Sequence, residues 1–322
     1  MKISIVTPTY NSLSNLKQTH KSIADQQHAE FEHIIIDGNS TDGTQEWLKV
    51  NGNAIKSEST VNSSSFLYPS LDESIYDVAA NKDAEFQYIS EADSGIYDAL
   101  NKGFKKATGD IFAWLNSDEQ YLPGTLKLVT DFFNKQPDVD VLFGSMLMVD
   151  DDGELLAFRK AMPMRLSFLR TSYLYNFSCA MFFRKELFIK LNGFNSEYKA
   201  GADMDFVYRA INEKAKTRNI GHFLSTFIYH DENISSQKWA ADEHAVIANM
   251  IGIKSKPCRA LINCLRLLDK LLNDGYKCQT PLNYAIYIDD DNRRKDCSCS
   301  KVSAKWPGHN KPYILNHRNK SR

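Results

Sequence analysis

Residues 86–119 read FQYISEADSGIYDALNKGFKKATGDIFAWLNSDE, and this pattern decides the fold. FQYIS (86–90) is a short apolar run of strand length. From about Ile96 to Ala107 the spacing changes. Tyr97, Leu100, Phe104 and Ala107 recur on one face of a helix, and Gly109 ends it. IFAWLN (111–116) is another apolar run, again too short for a buried helix. Strand, helix and strand in this order form a βαβ unit, so the expectation is a parallel sheet flanked by helices. The unit ends on Asn116, Ser117, Asp118 and Glu119. A core strand has no use for adjacent carboxylates. The carboxyl end of a strand in an open α/β sheet, however, is where ligands bind.

The same rhythm extends outward. ISIVTP (3–8) is a buried strand stopped by Pro8. A polar helix over 13–27 follows, then the strand FEHIIID (31–37), the turn-rich GNSTDGT (38–44) and the short helix QEWLKV. Residues 51–85 are polar and rich in Ser and Asn, and read as a loop or insertion. Beyond Pro123 a helix reaches about Gln136. Two strands joined by an Asp-Gly turn come next, then a strand at 179–185, a helix starting near Asp203, a last strand at 221–230 and a helix over 239–251.

Composition narrows the class. With 43% hydrophobic and 25% charged residues in 322, the chain has ample material for one large or two smaller globular units. No run of about 18 apolar residues is present, so no membrane-spanning helix is expected. MKISIVTPTYN reads as a strand, not a signal peptide, which points to the cytosol. The net charge of −1 conceals an asymmetry. From Lys254 onward 15 Lys and Arg face six Asp, whereas the earlier residues carry 24 Lys and Arg against 34 acids. Within that basic segment, residues 258–273 form an amphipathic helix with polar side chains at 259, 263, 266, 270 and 273. Its broad apolar face suits packing on the body or attachment to a membrane surface. The last residues read as irregular.

The acids carry the chemistry. Asp37, Asp42, Asp93, Asp118 and Glu119 all fall in loops at strand ends. Clustered carboxylates repel, and a divalent cation is the commonest reason for them to coexist. Mg²⁺ and Mn²⁺ prefer oxygen ligands and leave positions for substrate phosphates. There is no GxxxxGK[ST] loop and no GxGxxG after the first strand, which argues against P-loop and dinucleotide folds.

Four motifs, TPTYN (7–11), IIDGNSTDGT (35–44), SEADSGIYDALNKGFKKATGD (90–110) and FAWLNSDE (112–119), together resemble family 2 glycosyltransferases of the GT-A fold, bacterial polysaccharide-assembly enzymes in particular. The resemblance spans roughly residues 1–235. It implies an α/β chain with a mixed central sheet, a nucleotide-sugar donor, most often a UDP-sugar, and transfer with inversion. Residues 1–118 would form the donor-binding half, 119–253 the acceptor-binding half, and 254–322 a basic helix and tail. Matched by position, Thr7, Pro8, Tyr10, Asn11, Asp37, Asp42, Asp93, Asn101 and Lys102 would contact the donor. Asn116 and Ser117 would join them. Asp118 would hold Mn²⁺ or Mg²⁺ on the diphosphate, with His230 as a second ligand. Asp203 in AGADMDFVYRA (200–210) matches the base. Asn116 and Ala202 stand where the family often has acids. The acceptor would be a saccharide or a polyprenyl-diphosphate-linked sugar, with peripheral contact at the inner membrane face and no role for nucleic acid. Two other classes stay open: a nucleotidyltransferase, and an inactive homologue that binds a nucleotide sugar.

Overall fold

Strand β1 (Lys2–Thr9) is buried from Ile3 to Thr9, as a strand covered on both faces must be. It is followed by α1 (Leu13–Ala24), β2 (Glu30–Asp37), α2 (Thr44–Asn51) and the short β3 (Gly52–Ala54). The expected βαβ unit is β4 (Phe86–Ser90), α3 (Ile96–Lys106) and β5 (Ile111–Trp114). Then come β6 (Glu119–Tyr121), α4 (Thr125–Lys135), β7 (Val141–Val149), β8 (Leu155–Arg159), α5 (Leu166–Leu169), β9 (Met181–Arg184) and α6 (Lys185–Lys190). After these come α7 (Ala202–Asn212), β10 (Thr217–Ile228), α8 (Lys238–Ile251), α9 (Lys256–Leu272), β11 (Leu282–Ile286) and β12 (Lys295–Cys299). This computed structural model describes residues 1–27, 29–55, 85–171, 174–229, 238–289 and 291–304.

The central sheet runs β3-β4-β2-β1-β5-β9-β7-β10-β6, with β8 also on β7. The first five strands are parallel. β9 is antiparallel to both β5 and β7, β6 is antiparallel to β10, and β7 and β10 are parallel. The sheet is therefore mixed. From β1 the chain moves outward to β2, and it later returns to place β5 on the other side of β1. That reversal leaves a crevice at the carboxyl ends of β1 and β5, the standard ligand position in such sheets.

Helix α3 seals one face. Its Tyr97, Leu100 and Phe104 enter a core with Phe112, Trp114, Phe183, Phe188, Phe194 and Phe206. The Phe104 ring stacks on Phe112 with centroids 4.8 Å apart. Gly103 lets the helix settle this closely, because a Cβ there would lie 2.5 Å from Val6 Cγ1.

The C-terminal region departs from the expectation of a helix and tail. β11 and β12 pair as an antiparallel hairpin. Tyr284 and Ile286 pack against Phe158 and Ile228 of the body. The Arg294 guanidinium reaches back to Asp25 (2.6 and 2.7 Å) and to the Tyr121 carbonyl (2.9 Å). Helix α9 is oriented against the usual rule. Its half-buried face carries Asn263, Arg266, Asp269 and Lys270 beside Ile262, while Leu261, Leu265, Leu268, Leu271 and Leu272 are exposed. Leu272 is 84% exposed. The packing alternative in the sequence reading assumed the reverse.

Candidate active site

The chain leaves β1 through Pro8, Thr9, Tyr10 and Asn11. Asn11 adopts a left-handed backbone (φ 47°) that swings the loop over the crevice. Its N–H donates to Ser40 Oγ (2.7 Å) and its Oδ1 accepts from Thr41 N (2.8 Å), so the β1 and β2 loops are fastened together. Tyr10 is 65% exposed and lies along the crevice.

The end of β5 is braced from beneath. The Thr19 hydroxyl of α1 sits 2.8 Å and 2.7 Å from the carbonyl oxygens of Ser117 and Glu119. Glu119 is buried, and its carboxylate accepts from Asn116 N (2.8 Å) and Nδ2 (3.2 Å). Burial, then the neighbouring Asp118 charge, pushes the Glu119 pKa up. The Asn116 Oδ1 is left buried with no hydrogen-bond partner among the described residues. An acid at 116 would face the buried Glu119 carboxylate, whereas the amide donates to it.

The opposite wall comes from the helix starts. Asp93 accepts from Gly95 N (2.9 Å), and burial raises its pKa. Asp203, in the first turn of α7, accepts from Met204 N (2.6 Å). Burial raises its pKa, opposed by the nearby His244 and the Tyr97 hydroxyl. Glu243 of α8 sets this wall by gathering three successive backbone N–H groups, Lys199 (2.8 Å), Ala200 (2.7 Å) and Gly201 (2.7 Å), just ahead of α7. His244 lines the same space, its Nδ1 buried and without a hydrogen-bond partner among the described residues.

Pro8, Tyr10, Asn11, Asp93, Asn116, Ser117, Asp118 and Asp203 thus share one cavity of about 1100 Å³. Five other expected site residues point elsewhere. Thr7 is fully buried and bonds His33 Nε2 (2.9 Å), because its side chain lies on the covered sheet face it shares with His33 and not in the crevice. Asp37 is fully buried and accepts from the hydroxyls of Ser40 (2.5 Å) and Ser90 (2.6 Å). Asp42 holds the start of α1 through Leu13 N (2.9 Å) and its own turn through the Thr44 hydroxyl (2.6 Å). Asn101 clasps Phe194 at both N (2.9 Å) and O (2.8 Å). Lys102 pairs with Glu91 (2.9 Å) and Asp98 (3.3 Å). His230 lies outside the described residues.

Sequence reasoning missed Glu243 and His244, which sit on a helix with no motif of its own. It also missed Arg159, Arg266 and Lys270 at the far end of the cavity. Among the described residues no three His, Cys, Asp or Glu side chains converge on a metal position. Of the oxygens lining the cavity at the end of β5, a cation would draw on the Asp118 carboxylate and the orphaned Asn116 Oδ1. That sparse set fits a hard cation that takes one or two protein oxygens and completes its shell from substrate phosphates and water.

The sequence profile of glycosyl transferase family 2 matches residues 4–53 and 70–191. A PGL/p-HBAD biosynthesis glycosyltransferase of Mycobacterium tuberculosis is 27% identical over 225 residues, 69% of this chain and 74% of its own length. Among solved structures, S. aureus TarS in complex with UDP-GlcNAc superimposes with a TM-score of 0.56 at 18% identity, covering 84% of this chain and 73% of that one. The mannosyltransferase PcManGT from Pyrobaculum calidifontis, in complex with GDP-Man and Mn²⁺, gives 0.53 at 15% identity, covering 84% and 70%.

Proposed function

This chain belongs to glycosyl transferase family 2 and has the GT-A fold, and on that premise we propose that it transfers a sugar, with inversion, from a nucleotide-sugar donor to an acceptor hydroxyl. The observation that carries the reading is Asp203, a half-buried carboxylate of raised pKa held at a helix start in the same cavity as Asn116 and Asp118.

Each end of the cavity then has a task. Tyr10, Asn11 and Asp93 receive the nucleoside beside β1. Asn116 and Ser117 take the sugar and diphosphate. A Mn²⁺ or Mg²⁺ ion fits Asp118 and the Asn116 Oδ1, and when bound it supplies positive charge against the diphosphate. Asp203 accepts the proton of the acceptor hydroxyl. The freed oxygen pair forms the new bond to the anomeric carbon as the bond to the nucleoside diphosphate breaks on the opposite face. A carboxylate whose pKa is raised is the stronger base for this task. Glu243 keeps Asp203 in place by fixing the backbone ahead of it.

The test is Asp203→Asn assayed with Mn²⁺ and a panel of nucleotide sugars, UDP-sugars first. Turnover should fall by about 10²–10⁴, the usual share of a general base, with donor affinity within about twofold. Unchanged turnover would remove Asp203 from the role.

The acceptor side favours a substrate at a bilayer surface. The exposed leucine face of α9 is flanked by exposed Lys254, Lys256 and Arg259, an arrangement suited to the interface of anionic lipid. No described helix is long and apolar enough to cross a membrane, and the contact we propose is peripheral, at the inner face. Leu265→Ser with Leu268→Ser should weaken binding to anionic vesicles by about thirtyfold, as each leucine loses about 1 kcal/mol of burial. Equal flotation of both forms would refute the contact.

A further inference from the structure

Helix α8 meets the start of α7 at Gly201. A Cβ there would lie 2.3 Å from Ile247 Cδ1 and 3.8 Å from His244 Nδ1, so glycine permits the approach. Contacts along α8 fix it. Glu243 holds the N–H groups of Lys199, Ala200 and Gly201. Ile247 is buried in the core that contains Ala202 and Phe206. The Ile251 carbonyl accepts from Arg170 Nε at 2.6 Å. His244 is thereby set in the cavity wall beside Asp203, close enough for its charge to act on that carboxylate.

The ring is kept there at a cost. Its Nδ1 is sealed from solvent and has no hydrogen-bond partner among the described residues. An unpaired buried nitrogen is unfavourable, and an apolar side chain would fill the same space without that penalty. A polar ring retained on such terms in a cavity wall points to a ligand. With Nδ1 turned toward Gly201, the edge left to border the cavity is the one carrying Nε2.

The surroundings indicate the ligand's chemistry. In the proposed transfer Asp203 takes the proton of one acceptor hydroxyl. The Tyr97 hydroxyl beside it is already bonded to the Ala200 carbonyl at 3.1 Å. His244 therefore offers this corner a nitrogen for a second group on the same acceptor. Phe168, Tyr175 and Phe177 line the same cavity. Aromatic walls with a few placed polar groups suit a pyranose, which has C–H faces and a rim of hydroxyls.

We propose that His244 is a specificity-determining residue whose Nε2 hydrogen-bonds a hydroxyl adjacent to the one that Asp203 activates, so that the acceptor is a saccharide with neighbouring hydroxyls. This rests on the glycosyl-transfer reading of the cavity.

The test titrates the full chain calorimetrically, with and without UDP and Mn²⁺. The probes are the p-nitrophenyl glycosides of glucose, galactose, mannose and N-acetylglucosamine, then the monodeoxy analogues of the tightest. In the unaltered protein, removal of one particular hydroxyl should weaken binding by about fivefold to tenfold, the size of one well-formed hydrogen bond. His244→Phe keeps a ring and removes both nitrogens. In it the parent glycoside should weaken by the same factor, and the deoxy analogue should bind no worse than the parent. His244→Gln places an amide nitrogen near the Nε2 position and should restore the preference, whereas His244→Asn places one near Nδ1 and should not. A ring needed only for packing would move the thermal midpoint and leave the preference intact. Deoxy analogues that lose the same factor in the unaltered protein and in His244→Phe overturn the proposal, as does failure of every glycoside to bind. UDP binding in Mn²⁺ is measured in parallel. If it fails while glycoside recognition follows His244, the donor reading falls and the saccharide site stands. If UDP binds and the glycosides ignore His244, the donor reading stands and this proposal falls.

Discussion

Thr7→Val separates two roles for the first motif of this chain. The sequence resemblance puts Thr7 in the nucleoside pocket, whereas in the structure its hydroxyl lies 2.9 Å from His33 Nε2 at a fully buried position. Valine keeps nearly the same shape and removes only the hydroxyl. The imidazole nitrogen is then buried without that partner, which costs about 1–3 kcal/mol. The other His33 nitrogen is no reserve, since Nδ1 already faces His20 Nδ1 at 3.1 Å. With a urea slope of about 3 kcal/mol/M, the unfolding midpoint should fall by about 0.3–1 M. Donor affinity, measured by calorimetry on the folded variant, should stay within about twofold, or about 0.4 kcal/mol. A midpoint that does not move, together with a tenfold loss of donor affinity, would refute this reasoning and return Thr7 to the pocket.

The remaining predictions concern pH. Burial lowers the pKa of both His20 and His33, so the folded protein keeps them neutral. Their stabilising contribution is complete above about pH 6.5 and is lost as pH falls below it, by at most about 1.4 kcal/mol per pH unit for each ring. Replacing His33 by Gln should therefore flatten the fall in stability between about pH 6.5 and 5.5, and parallel slopes for the two proteins would sink the idea. Burial raises the pKa of Asp203, so a base at this position is lost to protonation earlier on acidification than an ordinary carboxylate. The acid limb of kcat should accordingly lie above the usual aspartate value of about 4, and a limb at or below that value would count against Asp203.

The sequence by itself determined the sheet-and-helix rhythm and the place of the chemistry. Apolar runs of strand length alternate with helical spacing from Ile3 to Trp114, and short-range periodicity is a local property that burial on both faces imposes. Local reasoning likewise put Asn116, Asp118 and Asp203 at element ends, and all three line the cavity. Side-chain direction was not legible in the same way. Thr7, Asp37, Asp42, Asn101 and Lys102 belong to the right motifs, yet their bonds run to His33, Ser40, Leu13, Phe194 and Glu91. A motif fixes which residues are near a site, but the partner that satisfies each buried polar group is supplied by distant segments.

Only the tertiary structure decided the second half of the cavity. Glu243 reaches the backbone ahead of Asp203 from 40 residues further on, and its role exists only once α8 packs beside α7. The face that α9 turns inward was equally undetermined. Helical periodicity separates leucines from charges but is silent on which side meets the protein. Here Arg266 and Lys270 border a polar cavity and the leucines are left outside. A polar cavity can hold the charged face of a helix, and that depends on what the rest of the chain has already enclosed.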